Sequence, residues 1–241
     1  MKTLLFKTTL ILFMALPTVM FANDYNNGQM KGKYTKEKTV KKEYNVNSDA
    51  LVNIKNKYGN LNISTWNENR VVIEVHIKTN GNNEEKVQKR LDAISVDFEA
   101  SNSTVSAKTV FNKNNWNIGR NNNVSMKINY TIKMPATNSV DLNNDYGAII
   151  LDKLDGNADI DCDYGRLEIG ELRGKNISLN FDYSSKSTIG YMATGSINAD
   201  YSGFHLEKGE NIDLNADYSH SSIGQMKNLN YNCDYGSLSV D

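Results

Sequence analysis

The feature that most constrains this sequence is a tripeptide, Asp-Tyr-Gly or Asp-Tyr-Ser, that occurs six times within about the last hundred residues. The central tyrosines are Tyr146, Tyr164, Tyr183, Tyr201, Tyr218 and Tyr235, which are 18, 19, 18, 17 and 17 residues apart. So steady a period is typical of repeat proteins, in which each repeat is one structural unit that stacks on its neighbours.

Each tyrosine lies in the same pattern of apolar residues. These occur mostly six, four and two positions before the tyrosine and three and five positions after it, with Asp, Asn or Ser between them. The alternation predicts two half-buried strands, and the change of parity across the tripeptide predicts a corner where Gly or Ser lets the backbone bend. The sequence therefore predicts an all-β fold: a parallel single-stranded β-solenoid (β-helix), expected to be right-handed, with coils of about 18 residues.

Four parts follow one another along the chain. They are a signal peptide (1–22), a flexible lysine-rich leader (23–43) that becomes a strand near Thr39–Val46, an N-terminal β-region (44–139) and the solenoid repeats (140–241). Lys2 and Lys7 precede an apolar run that is too short to span a membrane, which is typical of an export signal. We therefore expect export to the cell surface, the outer envelope or the periplasm, and no transmembrane segment.

The N-terminal β-region contains a first coil and an insertion. Val52–Ile63 repeats the hydrophobic frame around Tyr58, and a small β-layer with one short helix over residues 84–94 is expected after it. The asparagine-rich segment Asn112–Asn123 reads as a mobile loop around Trp116. The predicted strands of the layer are Val71–Ile77, Ser95–Val110 and Val124–Met134.

Charge is distributed unevenly along the chain. Residues 140–241 hold 7 Lys and Arg against 17 Asp and Glu, a net charge of −10, and the remaining 20 and 11 give residues 1–139 a net charge of +9. The two parts are either separate solvated faces or surfaces that attract each other, within one molecule or between neighbours. The lysine-rich leader lacks interleaved aromatic residues, so nucleic-acid binding is not expected.

The two cysteines are predicted to be free thiols. Cys162 and Cys233 both lie two residues before a repeat tyrosine, so they belong to one column of the stack, four coils apart. At about 4.8 Å per strand their separation is roughly 19 Å, beyond the ~7 Å at which two Cα atoms can be bridged. We expect both to be buried as small apolar side chains, with an intermolecular disulfide as the alternative.

An aspartate precedes every repeat tyrosine, which creates a column of like charges. The column comprises Asp145, Asp163, Asp182, Asp200, Asp217 and Asp234. In the structural interpretation, each carboxylate accepts backbone N–H groups of its own corner. The functional alternative is a row of calcium sites, since carboxylates suit that ion, although the dense Gly-Asp nonapeptide of calcium-binding solenoids is absent. We expect the corner role, and no cofactor.

The tyrosines and a set of asparagines define two further columns. The tyrosines have the parity of inward positions, so a buried stack of rings that fills the corner is predicted. An exposed aromatic stripe that binds glycans is the alternative. Side-chain amides can hydrogen-bond from coil to coil, and three residues before each tyrosine stand Asn143, Asp161, Asn180, Asn198, Asn215 and Asn232.

No catalytic constellation is present in the sequence. His76, His205 and His220 are separated in the predicted architecture, and none forms a metal-ligand pair with a cysteine. The sequence contains no Gly-x-Ser-x-Gly, His-Glu-x-x-His or phosphate-binding loop. A non-enzymatic protein is therefore predicted. The alternative is a carbohydrate-active β-helix enzyme, of the polysaccharide lyase or hydrolase type, that uses the acidic columns.

The order of these motifs resembles a known family. Val52–Trp66, which contains Lys57-Tyr58-Gly59, is followed by a strand, a short helix and the Asp-Tyr-Gly coils. Over roughly residues 40–241 this order is similar to that of the bacterial "putative adhesin" β-strand-repeat proteins. The resemblance implies a β-solenoid in a secreted or envelope protein, a domain of unknown function, and it supplies no catalytic residues.

The predicted function is that of an adhesin-like binding or scaffolding module at the cell surface or in the periplasm. Its partner is expected to be an envelope protein or a glycan, and a regulatory role in envelope stress, as the partner of a membrane protein, is a further alternative. The predicted surface-binding residues are the variable ones just past the corners: Arg166, Lys186, His205 and His220. Because the chain reaches Asp241 inside the second strand of a coil, we expect either a fragment or an edge that associates with another molecule.

Overall fold

The computed structural model describes residues 30–112 and 123–240. The predicted signal peptide, the start of the predicted leader and nearly all of the predicted loop around Trp116 lie outside the described residues. From Lys31 onward the chain forms one compact unit. This unit is built almost entirely from β-strands.

Sixteen strands and one helix are found in the described residues. The helix, α1, spans Glu84–Asp92. The strands are β1 (Tyr34–Asn45), β2 (Leu51–Lys57), β3 (Leu61–Trp66), β4 (Arg70–Gly81), β5 (Ile94–Ala100), β6 (Thr104–Phe111), β7 (Ser125–Pro135), β8 (Ser139–Asp145), β9 (Ala148–Leu154), β10 (Ala158–Asp163), β11 (Arg166–Leu172), β12 (Ile177–Asn180), β13 (Ser187–Asn198), β14 (Gly203–Asn215), β15 (His220–Asn232) and β16 (Ser237–Val240).

The strands form two parallel stacks, one before and one after the tyrosine corners. The first stack runs through β6, β2, β8, β10, β12 and the second halves of β13, β14 and β15, and the second through β7, β3, β9, β11, the first halves of the same three strands and β16. Val140 pairs with Val52 on one side and with Ala158 on the other, so equivalent positions of successive coils are in register. The predicted parallel β-solenoid with coils of about 18 residues is confirmed. Its right-handed course stays a prediction.

The inward side chains of the two stacks meet in one hydrophobic core. Burying a Leu or Ile side chain stabilises a fold by roughly 1.5–3 kcal/mol, and each coil contributes several such residues. The column four residues before the tyrosines is buried throughout Ile54, Leu142, Ile160, Leu179, Ile197 and Leu214. Every coil is thus covered by its neighbours, which is why one coil alone would not be stable.

The backbone bends at the tyrosine of each corner. Tyr58 and the six repeat tyrosines have φ angles between 50° and 65°, in the left-handed region. The prediction that Gly or Ser provides the bend is therefore wrong. Glycine serves close approach instead, because a β-carbon on Gly165 would lie 2.0 Å from the backbone oxygen of Gly147. Where serine replaces glycine, its hydroxyl is buried, and the Ser202 Oγ accepts the Ser184 N–H at 3.0 Å and donates to the Phe181 carbonyl at 3.0 Å.

The N-terminal insertion forms the predicted small β-layer with one helix. β4 pairs antiparallel with β1 and β7, and β5 and β6 form an antiparallel hairpin. Helix α1 begins after Asn83, whose side chain accepts the Lys86 N–H at 3.0 Å. It buries Val87 and Leu91 and ends before Ile94, two residues earlier than predicted, because β5 starts there.

Strand β1 begins earlier than the sequence suggests. It starts at Tyr34, five residues before the predicted start at Thr39, so it occupies the second half of the predicted leader. None of its side chains is fully buried, and its partner β4 supplies the missing stabilisation through pairing along its whole length. Exposed lysines such as Lys41 and Lys42 stand on this edge strand, where they discourage pairing with another chain.

A buried polar cluster joins the insertion to the first coils. The Asn56 Nδ2 donates to the Asn144 Oδ1 at 3.0 Å, and the Asn56 Oδ1 accepts the Thr109 hydroxyl at 2.9 Å. The hydroxyls of Thr109 and Tyr130 are 2.8 Å apart, and burial raises the pKa of Tyr130 to about 12. Because each of these polar groups has a partner, the cluster can fix the register between the insertion and the solenoid without a desolvation penalty.

The two cysteines are free thiols in different surroundings. Cys162 is fully buried, and burial raises the pKa of its thiol to about 12. Cys233 is only half-buried, so the prediction that both would be buried is wrong for this residue. The difference arises because Cys162 has a coil on either side, whereas in the described residues only β16 follows Cys233.

Candidate functional site

The most exposed apolar feature of the solenoid is its column of tyrosines. The rings of Tyr146, Tyr164, Tyr183, Tyr201 and Tyr218 are between 49% and 53% exposed. The prediction of an inward stack is therefore wrong. The left-handed backbone at each tyrosine turns its side chain away from the core, although its sequence parity is that of an inward residue. No signal in the alternation itself could have revealed this reversal.

The tyrosine rings form one continuous ladder. We call this set the tyrosine ladder, and it comprises Tyr58, Tyr146, Tyr164, Tyr183, Tyr201, Tyr218 and Tyr235. Neighbouring ring centroids are 4.9 to 5.2 Å apart and the ring planes are within 15° of parallel. The spacing is close to that between adjacent strands. Since each inner ring is covered on both faces by other rings, the ladder presents ring edges and hydroxyl groups to solvent.

The two ends of the ladder differ. Phe111 contacts Tyr58 edge-on, with ring centroids 6.1 Å apart. Tyr235 stacks on Tyr218 and is 84% exposed. Ring stacking contributes about 0.5–1.5 kcal/mol per pair, which offsets the cost of holding non-glycine residues in the left-handed region. The ladder is therefore a rigid surface whose rings are ordered in the absence of any ligand.

The aspartates beside the ladder bond to the next coil rather than to their own corner. The Asp163 Oδ1 accepts the Asp182 N–H at 3.4 Å, and the Asp182 Oδ1 accepts the Asp200 N–H at 3.2 Å. The Asp217 Oδ1 accepts the N–H of the following aspartate at 2.8 Å. The prediction that each carboxylate caps its own corner is therefore wrong, because the parallel stack places the backbone of the neighbouring aspartate closer.

The amide column three residues before the tyrosines forms the predicted hydrogen-bonded ladder. The Asn180 Nδ2 donates to the Asp161 Oδ1 at 3.0 Å, the Asn198 Nδ2 to the Asn180 Oδ1 at 2.8 Å, and the Asn215 Nδ2 to the Asn198 Oδ1 at 3.0 Å. Each amide thus both donates and accepts along the axis. These bonds fix the outer side chains of the first stack in a regular row.

The two outer surfaces of the solenoid differ in charge. Positions five, three and one before the six repeat tyrosines number 18, and ten of them are aspartate while none is Lys or Arg. Register pairing places these positions together on the first stack. The outer positions of the second stack mix both signs, as with Arg166 and Glu168, whose Nε and Oε1 are 2.5 Å apart. The sequence analysis found the acidic block but not its concentration on one surface.

Crowding of the carboxylates changes their acidity. Burial and the neighbouring charges of Asp200 and Asp163 raise the pKa of Asp182 above its ordinary value. Burial, together with the charges of Asp161 and Asp141, does the same for Asp159. A carboxyl with a raised pKa in the folded state binds its proton more tightly there than in the unfolded chain. Its contribution to stability is therefore present at low pH and is lost as the pH rises through the raised pKa.

Replacing Asp182 with asparagine is expected to stabilise the protein by a few tenths of a kcal/mol near pH 7, and the gain should vanish near pH 3. Asparagine keeps an oxygen for the Asp200 N–H and removes the repelled charge. Urea unfolding of both proteins at the two pH values measures the effect. Asp213→Asn is the matched control, because its register neighbours Ser196 and Asn230 are uncharged. Equal pH-dependent gains in the two variants would contradict the explanation.

The predicted surface-binding residues lie on the second stack and do not form one cluster. Arg166 pairs with Glu168, and Lys186 is exposed. The His205 Nδ1 lies 3.1 Å from the Ser222 Oγ, and the His220 Nδ1 lies 2.5 Å from the Ser237 Oγ. Each side chain thus has its own surroundings, and their role in binding stays a prediction.

Among residues 30–112 and 123–240, no group of three or more His, Cys, Asp or Glu side chains could hold a metal ion. The acids of the first stack lie in rows, so their oxygens do not converge on a point. Over the same residues, no helix is long and apolar enough to cross a membrane.

Comparison with known proteins finds matches among solved structures. A putative adhesin from Bacteroides fragilis is 14% identical, with 85% of this chain and 97% of that chain covered and a TM-score of 0.40. A putative cell adhesion protein from Clostridium sporogenes is 11% identical over 85% and 99%, with a TM-score of 0.34. A putative adhesin from Parabacteroides distasonis is 9% identical over 88% and 97%, with a TM-score of 0.34. These structures carry the description that the sequence resemblance gave. No protein-family profile and no curated protein matches the chain.

Proposed function

We propose that this protein is an exported, non-enzymatic, adhesin-like binding module of the cell surface or periplasm, and that its ligand contacts the tyrosine ladder. The observation that carries this proposal is the half-exposed, pre-ordered row of aromatic rings. Contiguous exposed apolar surface is typical of interaction sites. Aromatic side chains also contribute much of the energy of protein interfaces, because they are large and lose little entropy when they are already fixed.

The alternative position for the binding surface is the second stack, with Arg166, Lys186, His205 and His220. The ladder is favoured because it is continuous over seven coils, whereas these four side chains differ in environment and two of them bond to serines of the next coil. A ladder also offers an extended ligand equivalent contacts at every coil. An envelope glycan or the extended part of an envelope protein fits such a surface.

Replacing Tyr164, Tyr183 and Tyr201 together with asparagine is expected to weaken binding to bacterial envelopes by at least tenfold. Asparagine tolerates the left-handed backbone, so the corners can keep their shape. Fluorescently labelled purified protein bound to isolated envelopes measures the effect, and circular dichroism checks the fold. The comparison variant changes Arg166, Lys186, His205 and His220 to alanine. Loss of binding in that variant, with binding retained in the triple tyrosine variant, would place the site on the second stack instead.

Protease shaving of intact cells tests the surface location. A surface adhesin is expected to be cleaved on intact cells, whereas a periplasmic protein is cleaved only after the outer envelope is opened. A periplasmic marker protein serves as the control for leakage. Protection of the chain on intact cells would exclude the surface version and leave the periplasmic one.

A further inference from the structure

We infer that the ligand of the ladder is a linear cationic amino-sugar polymer that lies along the solenoid axis. This inference rests on the proposed function and narrows it to one class of glycan. The surface concerned is the strip formed by the inner ladder rings and the aspartates that precede them, here called the tyrosine–aspartate strip. It comprises Tyr164, Tyr183, Tyr201 and Tyr218 with Asp163, Asp182, Asp200 and Asp217.

The geometry of the rings excludes the usual mode of sugar recognition along this strip. Sugars pack on the open face of an aromatic ring, but the faces of Tyr183 are covered by Tyr164 at 4.9 Å and by Tyr201 at 5.1 Å. The exposed parts are ring edges and hydroxyls. These edges can contact the C–H groups of a chain laid across them, and the affinity for such a chain must come largely from another source.

The aspartates supply that source. Within the described residues, Asp145 has an ion pair with Lys57, whereas Asp163, Asp182, Asp200 and Asp217 have none with any Lys or Arg. Their spacing follows that of the coils, about 5 Å, at which like charges near a protein surface repel by a few kcal/mol. A ligand with one positive charge per coil would remove this repulsion at every step, which is the charge complementarity that the strip offers.

A row of separate cations fits the strip less well than a polymer. Calcium takes 6–8 oxygen ligands that converge on the ion, and the carboxylates here run in a line without such convergence. An extended peptide presents side chains on one side about 6.8 Å apart, so its lysines would fall out of phase with the coils within three or four repeats. A β-linked pyranose chain advances by about one ring length per unit, close to the coil spacing, and an amino sugar carries one amine per unit.

The test compares two ligands that differ only in charge. The probes are the glucosamine hexamer and the N-acetylglucosamine hexamer, measured by isothermal titration calorimetry on the purified protein at a mildly acidic pH where amines are protonated and carboxylates ionised. We expect the glucosamine hexamer to bind at least tenfold more tightly than the acetylated one. We also expect it to bind more tightly than the glucosamine trimer, and to lose affinity as salt is added.

Two double variants carry the same change of charge. Asp182→Asn with Asp200→Asn, on the strip, is expected to weaken binding of the glucosamine hexamer at least tenfold. Asp159→Asn with Asp213→Asn, on the same surface but five residues before their tyrosines, should change it less than threefold. Equal losses in the two variants would reduce the effect to overall charge and overturn the inference. Tighter binding of a lysine hexamer than of the glucosamine hexamer would overturn the assignment to a glycan.

The outcomes separate this inference from the proposed function. If the acetylated hexamer or another neutral glycan binds equally well and the triple tyrosine variant abolishes that binding, the ladder remains the binding surface and the amino-sugar assignment fails. If no binding to envelopes depends on the ladder tyrosines, both fail.

Discussion

Replacing Gly165 with alanine is expected to lower the free energy of unfolding by about 3 kcal/mol. A β-carbon at this position would lie 2.0 Å from the backbone oxygen of Gly147 and 3.0 Å from the sulfur of Cys162. The oxygen belongs to the backbone of the neighbouring coil and cannot move away as a flexible side chain would. The two coils must therefore separate at the corner, where the Tyr146 N–H donates to the Asp163 carbonyl at 2.9 Å.

Gly203 provides the matched control for this substitution. A β-carbon there would meet only the His220 oxygen, at 3.9 Å, which is ordinary contact. Gly203→Ala should leave stability unchanged or raise it by about 0.5–1 kcal/mol, because alanine loses less backbone entropy in a strand than glycine does. Urea unfolding, followed by circular dichroism, measures both variants. A similar change in the two would show that the corner relaxes around the added carbon.

Replacing Phe181 with alanine is expected to cost about 3–5 kcal/mol. The Phe181 ring is fully buried and meets the Phe204 ring edge-on, with centroids 5.5 Å apart and planes at 87°. The position two residues before the tyrosine holds small residues in neighbouring coils, Cys162 below and Ala199 above. These side chains cannot reach into the space that the ring would leave, so a cavity persists.

Phe181→Leu is the control, because it keeps most of the apolar volume and should lose markedly less stability than the alanine variant. Thermal and urea unfolding should agree for each protein if unfolding is two-state. In a stack of coils, stability is close to a sum of terms between neighbours. A loss below about 1 kcal/mol for Phe181→Ala would therefore mean that the two adjoining coils close over the gap.

Much of this fold can be read from the sequence because its rows are periodic. The apolar frame around each tyrosine identifies both strands of a coil, and it also identifies the separated first coil at Tyr58. The amide ladder follows from the same alignment, since stacking identical positions brings Asn180 and Asn198 together. Strand β1 was harder to place, because its lysine-rich sequence buries nothing fully and depends on pairing with β4.

The candidate site shows where this reasoning stops. Alternation gives the side of a strand on which a side chain lies, and it assumes an extended backbone at every residue. One left-handed residue reverses the assignment, so Tyr183 projects outward although its parity is inward. Hydrogen bonds between coils pose a related problem. The acceptor for the Asp200 N–H is an oxygen of Asp182, which depends on the axial offset of the coils and not on the residues of one corner.

The 19-residue coil between Tyr164 and Tyr183 accommodates its additional residue at Lys186, which has a φ of 63°. Beyond it, Ser187 is already in register with Phe204. A single codon can thus be gained beside a corner, and by the same logic a whole coil can be duplicated or deleted, while the ladder stays aligned. Proteins built in this way can change length in evolution in steps of one rung, and the number of rungs then sets how long a ligand each version can hold.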